Sequence, residues 1–196
     1  MAKPRFTNRR TVLKTVGAGI VGSMAAVGTT AAGGHTFARQ LNTVRKSTRK
    51  YRDVDVAKAD GYGFFGIVPH AGIVYENLSD YLVDFDDAGD LQHTDPPALL
   101  FYAPSEDVED QDDVDDSNII LAGVEWLVSG RHEQAPANIF DDENSARALK
   151  VTEEEGWHPA PDPNLNFTGL HAWVHMANPK GVFTRDHPIM IERLTD

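Results

Sequence analysis

One stretch limits the fold of this chain more than any other: Ile119-Ile120-Leu121-Ala122-Gly123-Val124-Glu125-Trp126-Leu127-Val128, an apolar run with a single carboxylate inside it. The run reads as a strand in the core. Burying an ionised carboxylate there costs several kcal/mol unless it is paired. Any fold that accepts this strand must therefore bring Glu125 a cation, a metal or a hydrogen-bond donor.

Histidine is the obvious source of that partner, because the chain has eight His and no Cys. Imidazole and carboxylate are then the available transition-metal ligands, and disulfides, thiolate sites and cysteine nucleophiles are excluded. His171 and His175 lie in Leu170-His171-Ala172-Trp173-Val174-His175-Met176. On a helix they would stand about 6 Å apart and share one metal; on a strand, about 13 Å apart, they cannot. The Trp and Val content and the turn at Asn178-Pro179-Lys180-Gly181 favour a strand, so one metal takes only one of them. His70, between Pro69 and Gly72, is a candidate to join Glu125 and His171, with Trp173 in the pocket beside them. The competing reading is a Glu125 to His171 hydrogen bond that only holds the core together.

Further strands are expected from Gly66 to Asn77 and from Ala98 to Tyr102, and the loop signals between them favour an antiparallel sheet. From Phe37 to about Asp60, apolar residues at three- and four-residue spacing predict one helix, ended by Gly61. The expected fold is α+β, an N-terminal amphipathic helix packed on a mainly antiparallel sheet. The helix carries seven basic residues, read as packing against the protein's own acidic body. A short helix is expected within Phe140 to Glu155, and Trp157 to Asn166, with Pro159, Pro161 and Pro163, reads as an extended loop. Ser105 to Asn118, with eight acids in fourteen residues, reads as a solvated hairpin loop. Asp84, Asp86, Gly89 and Asp95 follow part of a Ca²⁺-loop order, but Ala88 and a final Asp break it. Asn77 and Asn166 head N-glycosylation sequons.

Residues 1–32 have a different character. Asn8-Arg9-Arg10-Thr11-Val12-Leu13-Lys14 precedes a Gly-interrupted apolar stretch and then small residues. That order resembles a twin-arginine (Tat) signal peptide cut by a signal peptidase. This tail holds five of the 18 basic residues and none of the 30 acidic ones, so the formal charge of −12 becomes −17 for residues 33–196. Asp outnumbers Glu 20 to 10, and so negative a chain repels polyanions, so no nucleic-acid partner is expected, and suits concentrated salt. The expectation is a single extracytoplasmic domain over 33–196, its core at about 48–190, exported by the Tat machinery and left with no stable membrane span.

Taken together, Tyr51-Arg52-Asp53-Val54, Ala98-Leu99-Leu100-Phe101-Tyr102-Ala103-Pro104, Leu121-Ala122-Gly123-Val124-Glu125-Trp126, Leu170-His171-Ala172-Trp173 and Asn178-Pro179-Lys180-Gly181-Val182-Phe183 resemble a family of small, uncharacterised exported prokaryotic proteins of halophile type. Glu125 and His171 fall on that family's Gly-Val-Glu-aromatic and Leu-His-x-Trp patterns. The family carries a histidine near Gly-Ile-x-Tyr, where this chain has Val74 before Tyr75, leaving His70 as the substitute. The resemblance implies no activity. The residues themselves point to a small-ligand or metal-binding module, with two alternatives: a metal-dependent hydrolase or oxidoreductase using Glu125 and His171, with Glu125 as base, or a cell-surface structural protein without a site.

Overall fold

The apolar runs become six strands: β1 (Gly63–Val68), β2 (Gly72–Glu76), β3 (Leu99–Pro104), β4 (Ile119–Ser129), β5 (Trp157–Pro159) and β6 (Phe167–Ala172). They form one sheet in the order β1-β2-β3-β4-β6-β5, and every neighbouring pair is antiparallel. Among the described residues four α-helices accompany it: α1 (Ala32–Thr48), α2 (Val54–Ala59), α3 (Leu78–Tyr81) and α4 (Pro188–Leu194). The computed structural model describes residues 32–105, 114–140, 148–152 and 154–194. The expected α+β class is what it shows. The Tat-like motif at Arg9 and Arg10 and most of the acidic 105–118 segment lie outside the described residues. Among the described residues no helix is long and apolar enough to cross a membrane.

Alternation along the strands splits the apolar side chains between two faces. Ile73, Tyr75, Leu100, Tyr102, Val124, Trp126 and Leu170 join Val44 of α1 and Val54 and Ala57 of α2 in the larger core. Val74, Leu99, Phe101, Leu127 and Trp173 join Met190 of α4 on the opposite face. β4 is buried on both faces along most of its length, so the side chain of Glu125 has no route to water along the strand. Where Phe101 pairs with Gly123 and Tyr102 with Leu121, Ala122 is an extra residue in β4. The bulge keeps Leu121 and Val124 on the helix-covered face while Glu125 and Leu127 point to the other.

Two expected elements are corrected, and a third lies partly outside the described residues. The Phe37 to Asp60 helix is broken: Ser47 and Thr48 both turn their hydroxyls back onto the Val44 carbonyl, a competition that loosens helix ends. A 3₁₀ turn over Arg49–Arg52 follows, and Asp53 then restarts the chain as the N-cap of α2, accepting from the Asp55 amide at 3.0 Å. The helix expected within Phe140 to Glu155 is not seen in its described part, where Thr152 accepts the Glu154 and Glu155 amides in a tight turn and Val151 bridges to Gly156 and Trp157; residues 141–147 lie outside the described residues. The strand expected to reach Met176 stops at Ala172, because the amides of His175 and Met176 both turn to the Ala122 carbonyl.

Two smaller expectations are also settled. Phe85–Asp90 is a 3₁₀ turn seated on buried Ala88 and Leu91, and its acids form no metal-ligating group among the described residues. Asn77 is buried and caps α3, donating to the Asp60 carbonyl and to Asp80. The folded chain therefore cannot present Asn77 as a glycosylation acceptor, whereas Asn166 is exposed. Of the basic residues of the α1–α2 segment, Lys58 pairs with Asp116 beyond it and Lys50 with Asp60 at the segment's own end.

The tight β1–β2 hairpin depends on Gly72, whose φ is +106° and whose missing Cβ would stand 2.4 Å from the Tyr102 carbonyl oxygen of the neighbouring strand. Both the left-handed backbone and the close approach reject a side chain. Gly72→Ala is expected to cost at least about 2 kcal/mol, measured by urea denaturation. An unchanged midpoint would show that the hairpin tolerates a Cβ there.

Candidate metal centre

Cross-strand register builds the site. Leu99 of β3, Glu125 of β4 and His171 of β6 lie side by side in one row, and Leu127, Gly169 and His158 of β5 form the next. Glu125 and His171 are thus direct neighbours on one face. His158 is one row away, and the carboxylate reaches it by leaning over Gly169. A Cβ built on Gly169 would stand 1.8 Å from Glu125 Oε1, so the carboxylate occupies the space that this glycine leaves.

Three side chains converge as a result. Glu125 Oε1 is 3.2 Å from His171 Nε2 and 3.6 Å from His158 Nε2, and all three residues are 3% exposed. One ligand atom from each lies within 4.8 Å of the other two, the only such group among the described residues. Ligand atoms around a tetrahedral ion with bonds of about 2.0–2.2 Å stand roughly 3.3–3.6 Å apart, so these two separations suit one ion held between them.

Protonation supports the same fit. His171 Nδ1 donates to the Arg185 carbonyl at 2.9 Å. A neutral imidazole that donates through Nδ1 carries its lone pair on Nε2, the atom that faces Glu125. The ring is held there edge-on by Phe101 at 4.5 Å, His158 at 4.5 Å and Trp173 at 5.7 Å between centroids. His158 is the least well partnered of the three: apart from a poorly formed approach to the Pro159 backbone, neither of its ring nitrogens makes a hydrogen bond, and Glu125 Oε1 lacks one too. Burial pulls His158 and His171 down to about 3 and pushes Glu125 up to about 7. Without a cation the group is therefore neutral below about pH 7, with the acid proton held on Glu125.

The cluster forms the floor of a cavity of about 280 Å³. Its walls are mostly apolar, with Val74, Leu99, Phe101, Leu127, Phe65 and Phe167 among them. Phe65, Pro161 and Asp162 are exposed, so the cavity runs from the surface down to the buried cluster.

The sequence-level candidates divide accordingly. Glu125 and His171 come together as expected. His70 lines the same cavity, half-buried in the β1–β2 turn with its pKa lowered by burial, but stands outside the converging three. Trp173 does not line the cavity: its indole donates to the Thr184 carbonyl at 2.6 Å and its ring packs on Phe101 behind His171. His175 hydrogen-bonds Thr48 at 2.8 Å, away from the cluster. His158 is the residue that sequence reasoning missed. Pro159 made its segment look like a loop, yet proline is tolerated in an edge strand, and β5 is the edge of this sheet. Trp157 before His158 was the available signal for a short strand. No family model, curated protein or solved structure matches the chain, so the chemistry of the site has to speak for itself.

That chemistry sets the sign of a pH dependence. His158 and His171 drop from 6.5 to about 3, so over that range the unfolded chain binds protons that the folded chain does not, and stability rises with pH. Glu125 rises from 4.5 to about 7, so in that window the folded chain keeps a proton that the unfolded chain has lost, and its contribution falls as pH rises. Two imidazoles outweigh one carboxyl. The metal-free protein is expected to gain stability from about pH 3 to 6.5, and Glu125→Gln, which removes the opposing group, to gain it more steeply above about pH 4.5. Urea denaturation across a pH series checks this; equal slopes in the two proteins would mean that Glu125 is ionised in the fold.

Proposed function

We propose that the protein binds one divalent transition metal through Glu125, His158 and His171 and presents it to a small ligand in the cavity. The observation that carries this reading is His158. A hydrogen bond between Glu125 and His171 explains a buried pair, but not a third buried imidazole whose Nε2, without a hydrogen bond of its own, stands 3.6 Å from the same carboxylate oxygen. Such a group costs free energy unless something completes it. Two imidazoles and a carboxylate suit Zn²⁺ and Fe²⁺.

The setting belongs to the same proposal. Arg9-Arg10 and the small residues after the apolar stretch support export by the Tat machinery with signal-peptidase cleavage, and the acidity of residues 33–196 supports a protein adapted to high salt outside the cytoplasm, without a nucleic-acid partner. A second reading, a metal-dependent hydrolase or oxidoreductase, is favoured by the cavity. Three protein ligands would leave a tetrahedral ion one position short, and all three line the cavity. Glu125 would then serve as a ligand and not as the base; of the two other carboxyls on the cavity, Glu76, partly buried with its pKa raised by burial, is the candidate to move a proton and Asp162 is exposed.

Elemental analysis of the protein purified in high salt tests the proposal, beside His158→Ala, His171→Ala and Gly169→Ala. One metal per chain is expected. Loss of a ligand should weaken binding on the order of 100-fold or more, since even outer-shell partners are worth 10–100-fold. Gly169→Ala keeps all three ligands and should still lose metal, because the new methyl displaces the carboxylate. Calorimetry in buffers of different ionisation enthalpy should find about one proton released on uptake at about pH 6 and almost none at about pH 8. A folded protein that takes up neither Zn²⁺, Co²⁺ nor Fe²⁺ sinks the reading.

A further inference from the structure

The cavity restricts what can sit on that metal. A divalent ion held by one carboxylate and two neutral imidazoles keeps a net positive charge, and at 3% exposure of all three ligands that charge has little water to solvate it. A monoanionic oxygen head group neutralises it. Above the floor, the cavity offers almost only hydrocarbon and aromatic surface: Val68, Val74, Leu99, Phe101, Leu127 and Phe167. A sugar, nucleotide or peptide backbone would lose its hydrogen bonds to water along those walls without replacing them. At about 30 Å³ for each water-sized group, 280 Å³ holds on the order of ten non-hydrogen atoms.

The remaining polar groups sharpen the choice. Glu76 and Asp162 place two more carboxyls around the cavity. They disfavour a second negative charge at the far end of the ligand. Phe65, 48% exposed, stands beside the entrance as an apolar step between solvent and cavity. We infer that the cavity takes a small apolar monocarboxylate, of about eight carbons, with its carboxylate on the metal and its chain along the apolar walls. This rests on the metal-binding reading above and adds the ligand class.

Co²⁺ provides the probe, because its visible spectrum reports a change in its own ligands. The Co²⁺-loaded full chain in high salt is titrated with butanoate, hexanoate, octanoate and decanoate, and with octan-1-ol, octane-1,8-dioate and octylamine as controls. Each acid that binds is expected to shift the Co²⁺ spectrum, with affinity rising about four-fold per methylene up to about eight carbons and then levelling as the cavity fills. The alcohol and the dioate should bind at least about ten-fold more weakly than octanoate. Phe65→Ser, a change at an exposed position that leaves the fold alone, should weaken octanoate about five-fold with the Co²⁺ content unchanged. Val74→Phe, which fills the cavity, should abolish octanoate binding with the metal retained.

Three results would overturn the inference while leaving the metal site standing: a loaded Co²⁺ spectrum that no acid alters, octan-1-ol binding as tightly as octanoate, or octylamine binding best and without metal, which would make Glu125 a cation acceptor. A chain that takes up no Co²⁺ at all overturns both readings, and the metal content measured first separates that failure from the others.

Discussion

A carboxylate at the centre of a strand covered on both faces cannot stay charged and alone, and much of this structure follows from that constraint. β4 can bury Glu125 only if its neighbours bring compensating groups to the same face. Register does so. A slip of one residue in the β4–β6 pairing would send His171 to the helix-covered face and leave Glu125 opposite an apolar side chain. The cost of an unpaired buried charge, several kcal/mol, is comparable with the net stability of a domain. Glu125 therefore acts as a register pin as well as a ligand candidate, and the bulge at Ala122 sets which face it occupies.

Space is managed as closely as charge. Gly169 leaves the volume into which the carboxylate leans, and Gly123 leaves the volume over which the Trp173 ring lies, where a Cβ would stand 2.8 Å from Trp173 Cε3. The two glycines act on the same cluster from opposite sides. One lets Glu125 reach from His171 toward His158. The other lets Trp173 settle behind His171, where its indole anchors on Thr184 and its ring faces the imidazole edge-on. Neither role needs a left-handed backbone; both positions are glycine because a side chain would collide with another.

The legible part of this fold was the part written in long apolar runs. Ile119 to Val128 and Ala98 to Tyr102 announced β4 and β3 by composition alone, and the lone carboxylate in β4 announced the site. Elements decided by local competition were not legible in the same way. Ser47 and Thr48 end α1 through hydroxyls that bond one carbonyl, an effect invisible to apolar spacing, which runs straight on to Asp60. His158 was hidden for a different reason. Three prolines mark its segment as loop, and whether proline is allowed in a strand depends on whether that strand is an edge, a property of the whole sheet and of no local window. His70 was the third residue that the sequence offered, but proximity across a sheet is set by register, and register put His158 beside Gly169.

The neutral state of the cluster separates folding from metal binding. In small zinc domains the ligands cannot be buried until the ion arrives, so the chain folds only when loaded. Here the raised pKa of Glu125 and the lowered pKa values of both imidazoles let all three side chains enter the core uncharged. The acid proton on Glu125 takes the place of a cation, with His171 Nε2 3.2 Å from the carboxylate, and the rest of the core carries the stability. Loading then exchanges that proton for a metal within a finished fold. For a chain proposed to leave the cytoplasm already folded, this ordering matters. It removes any need to acquire the ion before export, and it lets the metal supply on the far side of the membrane decide what the site holds.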